Sequence, residues 1–262
     1  MPRMTFARVG LYHITMSRDG VIVPDETSVL CEGCGYTLDG LPTTGQCPEC
    51  GLPIAASTGA DGRTLPPWED PSHSHGTFWR FWRTTLEVVV HPGRFYRTLA
   101  TRRYDQAALR FARAHWAISA ILFAGALSIH AAWFYRYIVP THFLGGPWFL
   151  FMLMAPLTYF LLWGTTQLAA RLTAWEAAYR GYRLPLPVVL RSLYYHAAHY
   201  LPVSVIAFLT VAANSLAVHS RWMSEGTAVR YLLILSIEVF LAAGYLFKTY
   251  WTGMKNTMYA NH

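Results

Sequence analysis

Charge is scarce in this chain: Asp, Glu, Lys and Arg make up 13% of its 262 residues, about half the roughly 25% usual in soluble globular domains. Hydrophobic residues reach 53% and mean hydropathy is +0.24. So much apolar surface must be buried in a core or in lipid, which excludes disorder and coiled coil. Cysteine is absent after Cys50, and all four cysteines fall within 20 residues. Lys and Arg are absent from Leu30 to Gly51, which argues against phosphate contacts there and against nucleic acid as a partner. The first 30 residues contain no apolar run of signal-peptide length, so export by that route is not expected. Also missing are G-x-S-x-G, H-E-x-x-H and a Gly-rich phosphate loop, and without such a motif a non-enzymatic protein is expected.

The cysteines that are present form two copies of one pattern. Cys31-Glu32-Gly33-Cys34-Gly35-Tyr36 and Cys47-Pro48-Glu49-Cys50-Gly51-Leu52 are each C-x-x-C followed by Gly, 12 residues apart. Two-residue spacing lets both thiolates of a pair reach one ion, and the Gly permits a tight turn whose backbone N–H groups point at sulfur. Cys31, Cys34, Cys47 and Cys50 together close a tetrahedral site with no open position, as structural centres do. Disulfides would need an oxidising compartment that nothing here indicates. Zn2+ is the expected ion. Iron in a rubredoxin-like site is the alternative, disfavoured because Tyr36 is the only aromatic residue between Cys31 and Trp68. The pattern is similar to the short zinc ribbons C-x-x-C-G-Y and C-P-x-C-G that head many bacterial membrane proteins. It implies a ribbon over 31–52; in the preceding segment, 1–30, alternation of apolar and polar residues around Val21 to Val23 and Val29 suits short strands. A flexible linker follows over 53–76, in which His73 and His75 read as solvated rather than ligating.

Four long uncharged or nearly uncharged runs fill the rest: 114–135, 148–170, 193–218 and 231–247, the last interrupted only by Glu238. Each is long enough to cross a bilayer. The expected fold class is therefore an all-α transmembrane bundle of four spans over 114–252, with a tail at 253–262. The small four-cysteine zinc ribbon and an interfacial amphipathic helix precede it. Basic residues alternate across the loops. Arg80, Arg83, Arg94, Arg97, Arg102, Arg103, Arg110 and Arg113 precede the first span, against Arg136 alone in the next loop; Arg171, Arg180, Arg183 and Arg191 follow the second, against Arg221 and Arg230 after the third. The asymmetry places both termini in the cytoplasm and the chain in the inner membrane. Trp116, Trp133, Trp148, Trp222 and Trp251 fall near the expected span ends, where amphipathic indoles belong.

The basic, aromatic stretch 77–113 is too charged to span, and suits a helix in the headgroup plane, broken at Pro92. This stretch, ending in Pro92-Gly93-Arg94-Phe95-Tyr96-Arg97-Thr98-Leu99 ahead of a compact group of hydrophobic helices, resembles bacterial members of the Yip1 domain family, whose motif reads Pro-x-x-x-Phe-x-x-Leu. The resemblance covers Phe78 to about Trp251 and departs in span number, since the family usually has five. It implies a membrane-embedded organisation or trafficking role, with no catalytic residue to carry over.

Inside the spans, Glu238 is the costliest group, and a partner or a proton is expected on it. His196 and His199, three residues apart, share a helix face and could join Glu238 in a metal or proton relay. The competing reading of all three is interhelical hydrogen bonding. The partners expected are the lipid bilayer, a cytoplasmic protein docked through the ribbon, and further copies of the chain.

Overall fold

The computed structural model describes residues 28–58, 63–70, 72, 76–101, 106–137, 146–182, 184–219 and 227–261. The elements are α1 (Ala55–Thr58), α2 (Thr77–Val90), α3 (Pro92–Thr98), α4 (Gln106–Tyr137), α5 (Gly146–Tyr179), α6 (Leu186–His196), a 3-10 turn (Ala197–His199), α7 (Tyr200–His219) and α8 (Thr227–Thr257). Among the described residues no strand forms, only isolated backbone bridges: Leu30 with Thr37, Gln46 with Pro53 and Thr64 with Leu99. The strand expected around Val29 does not form, and the one expected around Val21 to Val23, like His73 and His75, lies outside the described residues.

Four segments are long and apolar enough to cross a membrane: Gln106–Trp133, Trp148–Tyr179, Leu186–Ala217 and Val229–Thr257. The chain is thus a membrane protein by the length and composition of its helices. Each helix outruns its uncharged core. With 32, 34 and 31 residues, α4, α5 and α8 are about 46–51 Å long at 1.5 Å per residue, well beyond the ~30 Å of hydrocarbon. An uncharged run measures the apolar crossing, not the helix, and the surplus turns carry exposed Arg110, Arg113, Arg171 and Lys255.

Helix α4 is the hub, packed against α5, α6 and α7. Its inward face is built of small residues, Ala108, Ala112, Ser119, Ala120 and Ala124, around fully buried Phe111, His115 and Trp116. Small side chains let neighbouring helices approach closely, which is what drives packing where lipid supplies no hydrophobic force. Gly125 serves the same end, since a Cβ there would lie 3.1 Å from the ring of Phe208. Helices α5 and α8 instead turn Phe149, Met152, Leu157 and Leu161, and Leu233, Ile237, Phe240 and Leu241, outward. So much exposed apolar surface is stable only against lipid or protein.

The third crossing is broken. Pro202 has no N–H to return to the carbonyl of Ala198, so the ladder fails one turn upstream, where Ala197–His199 tightens into the 3-10 turn. Side chains at i and i+3 eclipse in that geometry, which brings the His196 and His199 rings to 5.1 Å between centroids. Pro156, by contrast, sits inside an uninterrupted α5.

The stretch before the bundle is folded onto it. Helix α2 ends at His91, as expected of a residue before proline, and Pro92 opens α3 at N1, where the missing N–H costs nothing. Thr84, Thr85 and Val88 of α2 are buried, while Phe78, Trp79, Leu86 and Val90 are exposed. Within 53–76, which composition alone reads as a linker, Arg63, Thr64, Trp68 and Glu69 make long-range contacts. Thr64 pairs its backbone with Thr98 and Ala100. Trp68 donates its indole N–H to the carbonyl of Ala107 at 2.7 Å and packs on Phe81 and Phe111. Glu69 forms a fully buried ion pair with Arg191 at 2.7 Å and accepts a short hydrogen bond from Tyr195.

Candidate metal centre

The two knuckles repeat every bond at an interval of sixteen residues. Cys31 N–H donates to Tyr36 O and Cys47 N–H to Leu52 O, both at 2.8 Å; Gly35 N–H donates to Cys31 O at 2.8 Å and Gly51 N–H to Cys47 O at 2.9 Å. Gly35 and Gly51 occupy the left-handed region at φ +80° and +72°, the conformation that glycine alone adopts without strain. N–H groups of Gly33 and Cys34 point at the Cys31 sulfur, that of Tyr36 at Cys34, and those of Cys50 and Glu49 at Cys47.

All four Sγ atoms lie within 4.8 Å of one another. Cys31 is 3.5 Å from Cys50 and Cys34 is 3.6 Å from Cys47. The thiols are free. A tetrahedral ion with metal–sulfur bonds of about 2.3 Å spaces its sulfurs about 3.8 Å apart, close to the spacing of this set. The aliphatic cluster beneath consists of Leu38 and Ile54, flanked by Val29, Leu41 and Leu52.

The thiols are poised unequally. Burial pushes the Cys31 thiol up, with the Cys50 and Cys47 thiols adding to it. Burial, again aided by the neighbouring thiols, pushes Cys34 up to about 12. Burial also raises Cys47, but the N–H groups of Cys50 and Glu49, with the thiols of Cys34 and Cys31, outweigh it and bring it down to about 7. A metal binds thiolates, so loading must expel the Cys31 and Cys34 protons at neutral pH, and affinity rises with pH. Calorimetric titration of metal into the chelated protein, run in buffers of different ionisation heat, is expected to show that proton release; heats independent of the buffer would contradict it.

No protein-family model, curated protein or solved structure matches the chain. Function is therefore argued from the geometry.

The intramembrane candidates do not assemble. Among the described residues the four cysteines are the one convergent group of three or more metal-ligating side chains. His196 and His199 do lie together, yet each is bound to α8: His196 Nε2 hydrogen-bonds with Thr249 Oγ1 at 3.0 Å, and His199 Nδ1 with Tyr245 OH at 2.7 Å. Glu238 Oε1 instead accepts from Thr210 of α7. Nearer the other end of the bundle, His130 meets Tyr231 at 2.7 Å. These are the interhelical hydrogen bonds that membrane interiors use as ties.

Two features were not legible in the sequence. Glu32, inside the first knuckle, accepts a two-pronged bond from Arg63 at 2.8 and 3.1 Å, and Arg63 also donates to the carbonyls of Tyr96, Leu99 and Asn256. Asn261 closes on Leu30, Ser57 and Glu32. The partners lie up to 231 residues apart, and no local spacing announces them.

Proposed function

We propose that the chain is a non-enzymatic protein of the cytoplasmic (inner) membrane, with both termini cytoplasmic, whose Cys31, Cys34, Cys47 and Cys50 hold one structural Zn2+ in a ribbon that docks a cytoplasmic protein. The observation that carries the reading is the convergence of four free thiols beside four membrane-length helices. The cluster beneath the knuckles is aliphatic, Leu38 and Ile54 flanked by Val29, Leu41 and Leu52, which favours zinc over a rubredoxin-like iron. A colourless protein carrying zinc agrees with this, and a visible absorption band from iron–thiolate charge transfer would overturn the assignment.

The helices are read as a Yip1-like membrane-organisation domain. Tyr96 and Leu99, at the positions that family fills with Phe and Leu, are both buried, in one core with Val88, Phe111 and Tyr195. Outward-facing Phe78, Trp79 and Leu86 on α2, with exposed Arg83, Arg94 and Arg97 alongside, suit an anionic lipid surface, where each basic residue contributes about 1 kcal/mol. The ribbon rests on the bundle rather than swinging on a tether, so a partner meets the two together, with Tyr36 exposed at the ribbon's surface. Cys47→Ser is expected to abolish recovery of a docked partner from membranes while leaving insertion intact; undiminished recovery counts against docking through the ribbon.

A transporter using Glu238 with His196 and His199 is the competing reading. Its support is that Glu238 Oε2 and His199 Nε2 are both buried without a hydrogen-bond partner among the described residues. Against it, the carboxylate and the two imidazoles bind different groups. Glu238→Gln keeps an oxygen for Thr210, and is expected to leave proton or metal flux into reconstituted vesicles unchanged. Loss of a measurable flux in that variant would reinstate the transporter.

A further inference from the structure

We propose that the four-thiol centre is a metal-dependent latch on the end of α8: with the ion bound, the first knuckle holds Thr257–Asn261 against the bundle, and loss of the ion releases that segment. The latch rests on the metal reading above. It adds a further function to the ribbon, the coupling of ion occupancy to a membrane helix.

The contacts fall on both sides of the first ligand. Leu30, before Cys31, exchanges two hydrogen bonds with the Asn261 amide, N–H to Oδ1 at 2.9 Å and Nδ2 to O at 2.7 Å. Glu32, after Cys31, accepts the Asn261 backbone N–H at 3.2 Å. The same Nδ2 donates to Ser57 O at 2.9 Å, and Ser57 Oγ accepts from Glu32 N–H at 3.1 Å. Asn261 is 6% exposed and Arg63 8%, so these bonds are made away from water, where breaking them is costly. Arg63 carries the connection onward, from the Glu32 carboxylate to the carbonyl of Asn256 in the last turn of α8. Tyr259 lies over Gly35, so close that a Cβ there would sit 2.5 Å from its ring.

The bonds to Leu30 and Glu32, and the seat of Tyr259 over Gly35, depend on the knuckle backbone keeping its shape. An aliphatic cluster as small as that around Leu38 and Ile54 cannot hold it alone, and in so small a unit the ion does. The other end of the coupling is equally exposed to bias. Helix α8 meets the bundle through a polar stripe, Tyr231, Glu238, Tyr245 and Thr249, spaced to share one face. Its remaining surface is largely exposed. Cys34 and Cys50 are exposed, so solvent chelators reach the ion while the segment is docked. Linkage requires reciprocity: if the ion holds the segment, the segment tightens the ion by the same factor.

Gly35 and Gly51 supply a matched pair. Both have positive φ, so alanine strains either position alike, but among the described residues nothing lies within 4 Å of a Cβ at Gly51. The test is hydrogen exchange by mass spectrometry on the full chain in lipid nanodiscs, zinc-loaded and chelated, with zinc per chain measured in each sample. Chelation is expected to speed exchange over 254–261 by ~5- to 150-fold, the usual range of a coupling between linked sites, with 116–126 of α4 unchanged. Gly35→Ala is expected to release the segment with zinc still bound, and Gly51→Ala to keep it protected. A chain that binds zinc but protects 254–261 equally after chelation overturns the latch alone, as does equal protection in the two variants. A chain that binds no ion overturns the metal reading and the latch's metal dependence with it.

Discussion

Glu69→Ala is expected to destabilise the fold by about 3–5 kcal/mol, the cost of leaving one member of a buried ion pair without its partner. The side chains of Glu69 and Arg191 are 0% and 4% exposed. Arg191 spends its Nε on the carbonyl of Ala100 at 2.6 Å, and its Nη1 has no hydrogen-bond partner among the described residues. Removing the carboxylate therefore strands a guanidinium in a closed site, and Tyr195 loses an acceptor too. Replacing both members together, Glu69→Leu with Arg191→Met, is expected to cost far less, because apolar groups of similar size need no partner. Thermal unfolding in detergent followed by circular dichroism checks this, and a single variant as stable as the double would contradict it. The pair matters because it ties the stretch ahead of α2 to α6, so its loss should loosen the seating of the ribbon as well as the bundle.

Metal withdrawal is expected to have the larger local effect. Structural zinc contributes about 10–16 kcal/mol to folding in small zinc modules near neutral pH, far more than the aliphatic cluster under the knuckles can supply. Chelation should make residues 28–58 susceptible to protease while the helical signal of α4 to α8 persists, since those helices are held by lipid and by one another. A ribbon that stays resistant after the ion is removed would show that its core suffices without metal.

How much of this could be read from the residues depends on the range of the interactions. The knuckles were legible because both ligands of a pair, and the glycine that turns the chain, lie within five residues. The four crossings were legible because lipid demands uncharged length, a property of sequence alone. The break in the third crossing was half legible: Pro202 marks it, but that the tightened turn aims His196 and His199 at Thr249 and Tyr245 is set by where α8 packs. Glu238 was identifiable as costly, and its partner Thr210 was not, because any polar group on a facing helix could have served. The stretch 53–76 misled for a physical reason. Its composition is that of a linker, yet Arg63, Trp68 and Glu69 each make long-range contacts of high value, and three such residues suffice to seat a loop. Asn261 is the extreme case, a polar residue with no motif around it that closes the structure by meeting Leu30.

Elemental metal analysis of the purified chain, quantified per polypeptide and repeated on Cys47→Ser, tests the central claim most directly. The account predicts one zinc per chain, lost in the variant. Absence of metal from the intact chain, or an ion that survives the cysteine change, would contradict it.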